Sequence, residues 1–525
     1  MHGDFEAQRH WMEITIHLPV FKWYTYDLQY WGLDYPPLTA YHSWLLGKVY
    51  VSLAAWYISI RLTHLSGSLF DPAWFALDDS RGFEDDRLKV FMRATVIISE
   101  YLIYIPAVVN FLRRYSRMHG VPTWSASIAL VAILLQPATI LIDHGHFQYN
   151  TVMLGLMVAS LDAIMAGRML WACIFFVGAL GFKQMALYYA PVMFAFLLGV
   201  CLFPRIRPIR LFCIAIVTLI AFAALFAPLI MGATGPDGKD YLTSLPQPPQ
   251  LQALPFEVPK SSVLYAPLFQ LAQVIHRVFP FARGLFEDKV ANAWCTIHTF
   301  YKLHRFETSL LQKASLGATL GSILVPCVII FRHPRASLLL PTLSSVAWGF
   351  FLFSFQVHEK SVLLPLLPMT LLLAGDGGLN KDTRAWVGWA NMLGSWTMYP
   401  LLKRDGLQVP YFVMTLLWAF LLGLPPTSLE TYRSRSSSDD SVQTPGPHIL
   451  TKLLHTCFYL VMIAWHVLEA FVPAPSDKPD LWVVLNVLVG ASGFGLAYLW
   501  CLWRLITQCT FIVRKTAEES RKKKQ

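Results

Sequence analysis

Two short strings near the amino end of this chain carry the residue types that chemistry on a polar substrate needs. The first is Gly3-Asp4-Phe5-Glu6-Ala7-Gln8-Arg9-His10-Trp11 and the second is Gly32-Leu33-Asp34-Tyr35-Pro36-Pro37. Each sets a carboxylate among aromatic and polar side chains. A single carboxylate suits general-base work, taking the proton of a hydroxyl as that oxygen attacks. If a sugar leaves a phosphate, the leaving group needs little protonation. One carboxylate then suffices where a glycoside hydrolase uses a pair. Asp4 is the leading candidate for such a base. It is equally placed to cap a helix beginning at Phe5, and spacing alone leaves both readings open. Asp34 precedes Tyr35-Pro36-Pro37, whose backbone is forced extended and so holds the side chain in a fixed direction. It reads as orienting Asp4 or binding an acceptor, with a plain turn residue as the alternative.

Other candidates lie at the ends of apolar runs. Asp143, His144 and His146 cluster in Asp143-His144-Gly145-His146. Without a second carboxylate at compact spacing, contact with a polar substrate is favoured over metal ligation, and no metal is assigned. His358, with Lys360 in Val357-His358-Glu359-Lys360, suits a lipid phosphate, with interfacial anchoring as the alternative. Lys183 sits late in an apolar run, which implies a water-filled cavity or snorkelling. Arg283, in Phe279-Pro280-Phe281-Ala282-Arg283-Gly284, offers a basic contact of low specificity. Glu84-Asp85-Asp86 reads as a solvated loop. The 8 cysteines show no CxxC or Cys/His ligand spacing, so neither a disulfide framework nor a zinc site is indicated.

The elements that position these residues are membrane spans. The chain has 525 residues, 55% hydrophobic and 14% charged, with mean hydropathy +0.47. That balance needs a lipid bilayer as solvent. Formal net charge is +10, yet the Lys and Arg gather in short loops between apolar runs. This reads as positive-inside topology and excludes nucleic acid as the partner. Runs long enough to cross hydrocarbon fall at 90–112, 124–142, 151–166, 170–187, 189–203, 211–231, 309–331, 337–355, 361–375, 385–402, 409–424, 450–471 and 481–506. Arg113-Arg114, Arg205, Arg332, Lys381, Arg433 and the terminal Lys522-Lys523-Lys524 then share one side, expected to be cytosolic. Residues 1–89, the Asp143–His146 string, the loop 232–308 and His358 share the other. Polar residues at one face, rather than at the midplane of two halves, argue against a transporter or lipid flippase.

The expected organisation follows. Residues 1–89 form a catalytic loop region with interfacial helices, the helix over 5–18 lying on a surface with Phe5, Trp11 and Met12 on its apolar side. Spans fill 90–231 and 309–425, separated by the outer loop 232–308. A disordered linker (426–448), two further spans (449–508) and a basic tail (509–525) complete the chain. An odd number of spans with no signal segment ahead of Asp4 leads us to expect a first helix upstream of Met1.

Three strings carry a closer likeness. Gly3-Asp4-Phe5-Glu6-Ala7-Gln8-Arg9-His10-Trp11-Met12-Glu13, Asp27-Leu28-Gln29-Tyr30-Trp31-Gly32-Leu33-Asp34-Tyr35-Pro36-Pro37 and Asp143-His144-Gly145-His146-Phe147-Gln148-Tyr149-Asn150 resemble the dolichyl-phosphate-glucose-dependent glucosyltransferases of the endoplasmic reticulum. Phe182-Lys183-Gln184 and Val357-His358-Glu359-Lys360 agree, and the likeness runs from residue 3 to the last span. The strings flanking Asp4 and Asp34 look like the member that places the first glucose on a nine-mannose glycan, rather than its sister adding the second. The resemblance implies an all-α polytopic membrane protein with the GT-C fold and luminal loop helices. It implies inverting, cofactor-free transfer from dolichyl phosphate glucose to a dolichyl-pyrophosphate-linked oligosaccharide, forming an α-1,3 linkage at the luminal face. It places the base at Asp4 and further functional positions at Asp34, taken for the acceptor, and His358, taken for the donor phosphate. Lys522-Lys523-Lys524-Gln525 is similar to dilysine retrieval signals of that compartment.

Overall fold

A computed structural model describes residues 3–60, 71–279, 289–375, 380–433 and 446–522. Among them all regular structure is helical. Seven of the described helices are long and apolar enough to cross a membrane. They are α3 (Asp86–Met118), α4 (Ser125–Phe147), α8 (Pro208–Thr234), α10 (Thr308–Arg332), α11 (Ala336–Phe353), α16 (Ile449–Phe471) and α17 (Leu481–Lys522). Shorter apolar helices α5 (Asn150–Met165), α6 (Met169–Phe182), α7 (Ala190–Leu202) and α15 (Gln408–Leu422) pack among them, with α12 (Leu363–Leu371), α13 (Lys381–Thr397) and α14 (Tyr399–Arg404) completing the bundle. The chain is a multi-pass membrane protein.

Local sequence sets the helix ends. Asp85 caps α3 by accepting from the Arg87 N–H, and Asn380 caps α13 by accepting from Asp382. Pro208 opens α8 at a position where its missing N–H costs nothing. Gly423 ends α15 in the left-handed conformation, φ 67°, open to glycine without penalty. Close helix approach uses a small residue where α5 crosses α3: a Cβ at Gly155 would lie 2.8 Å from the Tyr104 Cα. The largest apolar cluster runs through this bundle. Trp348 stacks on Phe494 there, with centroids 4.7 Å apart, joining α11 to α17.

Four elements outside the spans build the polar end. α1 (Gly3–His17) packs on α2 (Pro37–Ile60), and the strap 71–85 closes over α1. α9 (Tyr265–Val278) lies in the long loop and buries its own Tyr265 and Phe269 in one apolar cluster and its Val274 in another. The expected surface helix over 5–18 is instead buried on every side, from Phe5 through Thr15. The reason is that its charged face is covered by protein. Arg9, fully buried, donates to Glu6 and Glu13 and to Trp74 O and Ser80 Oγ of the strap. Glu13 accepts from the Asp78 N–H at 2.9 Å, and Glu6 from the Gly82 N–H at 3.1 Å. Buried charges persist when paired and hydrogen-bonded in this way.

A second difference concerns the run expected to be continuous over 170–187. α6 stops at Phe182, Lys183 turns to an extended backbone, and Gln184–Tyr188 forms a 3-10 turn. The Lys183 ammonium finds partners only by leaving the helix axis, bonding Gln148 Oε1 at 2.8 Å and Asn150 Oδ1 at 2.6 Å.

Candidate active site

Asp4 sits in the first turn of α1, on the wall of a cavity of about 570 Å³. The segment 31–35 beside it is held by three side chains. Trp11 Nε1 donates to Trp31 O at 2.9 Å, and Arg277 on α9 donates to Gly32 O at 2.9 Å and Leu33 O at 3.3 Å. Tyr24 donates to Tyr35 O at 2.7 Å. Together these fix the 31–35 backbone, so that Trp31, Asp34 and Tyr35 face the same cavity as Asp4. The extended path forced by Pro36-Pro37 is thus locked from three sides.

The opposite wall comes from elements far away in sequence. The end of α4 widens into a π-helical turn over Leu141–Phe147, a distortion common at functional sites. Phe147 then takes φ 88°, left-handed and rare for a bulky residue. The reversal aims Gln148 back toward α1, while Phe147 packs on Phe5 with centroids 4.9 Å apart. Asp4 Oδ2 is met by His146 Nε2 at 2.8 Å, by Gln148 Nε2 at 2.6 Å and by the Lys360 ammonium. No described residue donates to Oδ1. One oxygen is therefore clamped, and the other is left to whatever enters the cavity.

Behind this first set lies a second. Lys183, a buried residue, pulls through its ammonium on the oxygen of Gln148 whose nitrogen donates to Asp4. Asn150 donates to Gln148 Oε1 at 2.8 Å and to Asp143 Oδ1 at 2.7 Å. Asp143 also accepts from the Thr151 N–H at 2.7 Å, so its carboxylate braces the turn after α4. His144 pairs with Glu100 on α3 at 2.6 Å, and does not line the cavity with Asp4. His358 is exposed at the cavity wall, its backbone N–H donating to Ser361 Oγ at 3.3 Å.

The electrostatics around Asp4 run against each other. Burial by itself would raise the carboxyl. The His146 hydrogen bond and the Lys360 charge outweigh it and hold Asp4 well below the usual carboxylate range. The group is thus an ionised acceptor at any ordinary pH. Five of the expected site residues meet at one cavity or its immediate support: Asp4, Asp34, His146, Lys183 and His358. Asp143 and His144 act one step behind, within the turn, and Arg283 lies outside the described residues.

Three contributors were not singled out from sequence: Gln148, Lys360 as a direct partner of Asp4, and Asp405. Gln148 had a faint signal, being a polar residue two positions past the Asp143–His146 string. Asp405, bonded to His146 Nδ1, had none. It stands 259 positions away in chain order, in an unremarked turn after α14.

With this geometry in view, comparison with known proteins is decisive. The model of the ALG6, ALG8 glycosyltransferase family matches residues 1–239 and 254–503. The chain belongs to that family. Its all-helical, multi-pass architecture is the family's GT-C fold. A Saccharomyces cerevisiae relative, "Dolichyl pyrophosphate Man9GlcNAc2 alpha-1,3-glucosyltransferase", is 44% identical over 97% of this chain and 86% of its own length. The Schizosaccharomyces pombe "Probable dolichyl pyrophosphate Man9GlcNAc2 alpha-1,3-glucosyltransferase" is 42% identical over 100% of this chain and 89% of its own. The Rattus norvegicus protein bearing the Saccharomyces name is 35% identical over 94% and 89%. Membership places the Asp4 cavity in a family that moves sugars.

Proposed function

We propose that this chain transfers glucose from dolichyl phosphate glucose to the Man9GlcNAc2 glycan of dolichyl pyrophosphate, forming an α-1,3 linkage with inversion. The reaction takes place at the luminal face of the endoplasmic reticulum membrane. Three full-length relatives named for the α-1,3-glucosyltransferase reaction support the activity. The observation that carries the mechanism is the one-sided clamp on Asp4: three donors on Oδ2 and none described on Oδ1.

In this reading Oδ1 accepts the proton of the acceptor mannose hydroxyl as its oxygen attacks the glucose anomeric carbon. The new C–O bond forms on the face opposite the phosphate, and the bond to the phosphate oxygen breaks. Attack from the opposite face converts a β-linked donor into an α product. The bond electrons leave on the dolichyl phosphate oxygen, a stable anion, so a second carboxyl acting as acid is not required. Lys360 and His358, two positions apart on the cavity wall, supply positive and hydrogen-bonding groups for that phosphate. Trp31 and Tyr35 present aromatic faces for sugar stacking. Gln184 Oε1, buried without a partner among the described residues, is an acceptor that a sugar hydroxyl would satisfy. Asp34 is assigned to the acceptor.

The test is Asp4→Asn, assayed in proteoliposomes with both lipid-linked substrates. Loss of a general base predicts a fall in kcat on the order of 100-fold or more. Retention of a tenth of the wild-type rate removes Asp4 from that role. Supplying acceptor that already bears one glucose separates the first-glucose reaction from the second. The chain should leave that acceptor unextended.

A further inference from the structure

His146 touches two carboxylates at once. Its Nε2 lies 2.8 Å from Asp4 Oδ2, and its Nδ1 bonds Asp405 Oδ2. The side chains of His146 and Asp405 are only 6% and 2% exposed. A nitrogen and an ionised carboxylate oxygen in contact need a proton between them, and the carboxylate brings none. Two such contacts therefore call for a hydrogen on each ring nitrogen. The positive ring and the Lys360 ammonium then balance Asp4 and Asp405, which leaves the buried cluster neutral as a set.

We propose that Asp405 is a positioning residue for the transfer: by accepting from Nδ1–H it orients the His146 ring, whose Nε2–H holds Oδ2 of Asp4 and turns Oδ1 to the acceptor. The fold supports the rigidity this needs. Asp405 is carried on a turn closed by Gly406 at φ 73°. The neighbouring Leu407 packs against Gly145, where a Cβ would meet its Cδ1 at 2.9 Å. The turn bearing Asp405 and the turn bearing His146 are thus keyed together independently of the ion pair. Other groups around the ring are Lys360, whose Nζ is 3.2 Å from Nε2, and Asp143 and His144 on the same turn. Those two are engaged elsewhere, by Asn150 and Thr151 and by Glu100. Glu6, Arg9, His10 and Glu13, on the facing α1, are bound to one another and to the strap and loop residues.

Without a carboxylate at 405 the ring needs only one hydrogen. Asp4 keeps that hydrogen on Nε2, but the ring is then neutral and is held at Nδ1 by an amide rather than a carboxylate, so it orients and grips Oδ2 of Asp4 less firmly. Asp405→Asn is nearly isosteric and should fold. We expect kcat to fall on the order of 100-fold, the cost of a misplaced reacting group, with both KM values little changed. We also expect the pH optimum to move to lower pH, because acid returns the second proton to the ring. The double variant His146→Gln with Asp405→Asn should be no slower than His146→Gln alone, since Asp405 acts only through the ring. A wild-type rate, a loss with an unmoved pH optimum, or additive losses in the double variant each overturn the proposal. If Asp405→Asn is not recovered folded, Asp405→Glu decides. It keeps the charge and should work at the wild-type optimum, and a folded Asp405→Glu with a shifted optimum overturns the idea. The inference rests on Asp4 as base. An active Asp4→Asn would sink that reading, whereas a pH-indifferent Asp405→Asn sinks only this one.

Discussion

Arg9→Met tests whether the buried ionic network under α1 is what delivers Asp4 to the cavity. Arg9 is 0% exposed and makes five hydrogen bonds, two to Glu6, one to Glu13, and one each to Trp74 O and Ser80 Oγ. Methionine fills similar space, so the loss is of charge rather than volume. Removing one partner of a buried pair costs about 3–5 kcal/mol, mostly from the charges left behind. The remaining partners place this case at the lower end. Glu6 keeps Tyr30 at 3.0 Å and the Gly82 N–H at 3.1 Å. Glu13 keeps Ser80 at 2.8 Å and the Asp78 N–H at 2.9 Å. A cost of about 3 kcal/mol corresponds to roughly 100-fold easier opening of the strap. Because the apolar bundle does not depend on Arg9, the opening should be local. Hydrogen exchange in nanodiscs should show peptides from 3–17 and 71–85 losing protection while those from α5 and α11 keep theirs, and transfer should slow in step. Adding Glu13→Gln should restore part of both, since it removes the stranded charge. Unchanged protection in a folded Arg9→Met, or a double variant worse than the single, would refute the reasoning.

Two predictions concern pH. With Asp4 held well below the usual range by His146 and Lys360, its ionisation should not set the acid limb of kcat/KM. Lys360→Met removes one opposing cation and should bring an acid limb up toward the ordinary carboxylate range near about 4. Coincident limbs in the two proteins would contradict this. Burial would raise Glu13, but the His10 hydrogen bond, the Asp78 N–H and Arg9 bring it from 4.5 down to about 2. Its folded value is depressed, so the stabilisation, about 3 kcal/mol, is complete above the unfolded value and lost as pH falls through the folded one. Exchange protection of 71–85 should therefore decline between about pH 4.5 and 2 in the wild type and not in Glu13→Gln.

Much of the site was readable along the chain because its residues violate local expectation. Asp4 and Asp34 stand among aromatics at a membrane boundary, Lys183 interrupts an apolar run, and His146 sits in a polar string at a span end. Each is costly where it stands unless something polar is nearby. The helix over 5–18 misled for the converse reason. Alternation of polar and apolar residues shows that a helix has two faces, without showing what covers the polar one. Water and a strap bearing Trp74, Ser80 and Asp78 leave the same pattern in sequence. Lys183 was placed inside a span because hydropathy averages over a window, whereas the backbone breaks at a single residue.

The sequence by itself determined that this is a multi-span helical membrane protein, which of its faces is polar, and which carboxylate is the candidate base. The first two follow from composition and from the cost of polar groups in hydrocarbon, both local properties; the third rests on the residue types around Asp4 together with the family resemblance they carry. Only the tertiary structure decided what surrounds that carboxylate. Gln148, Lys360 and Asp405 reach Asp4 or its His146 partner from three separate segments. A polar side chain at a span end pays no local penalty that would reveal its partner. Which oxygen of Asp4 is held and which is left for substrate is a property of that convergence alone.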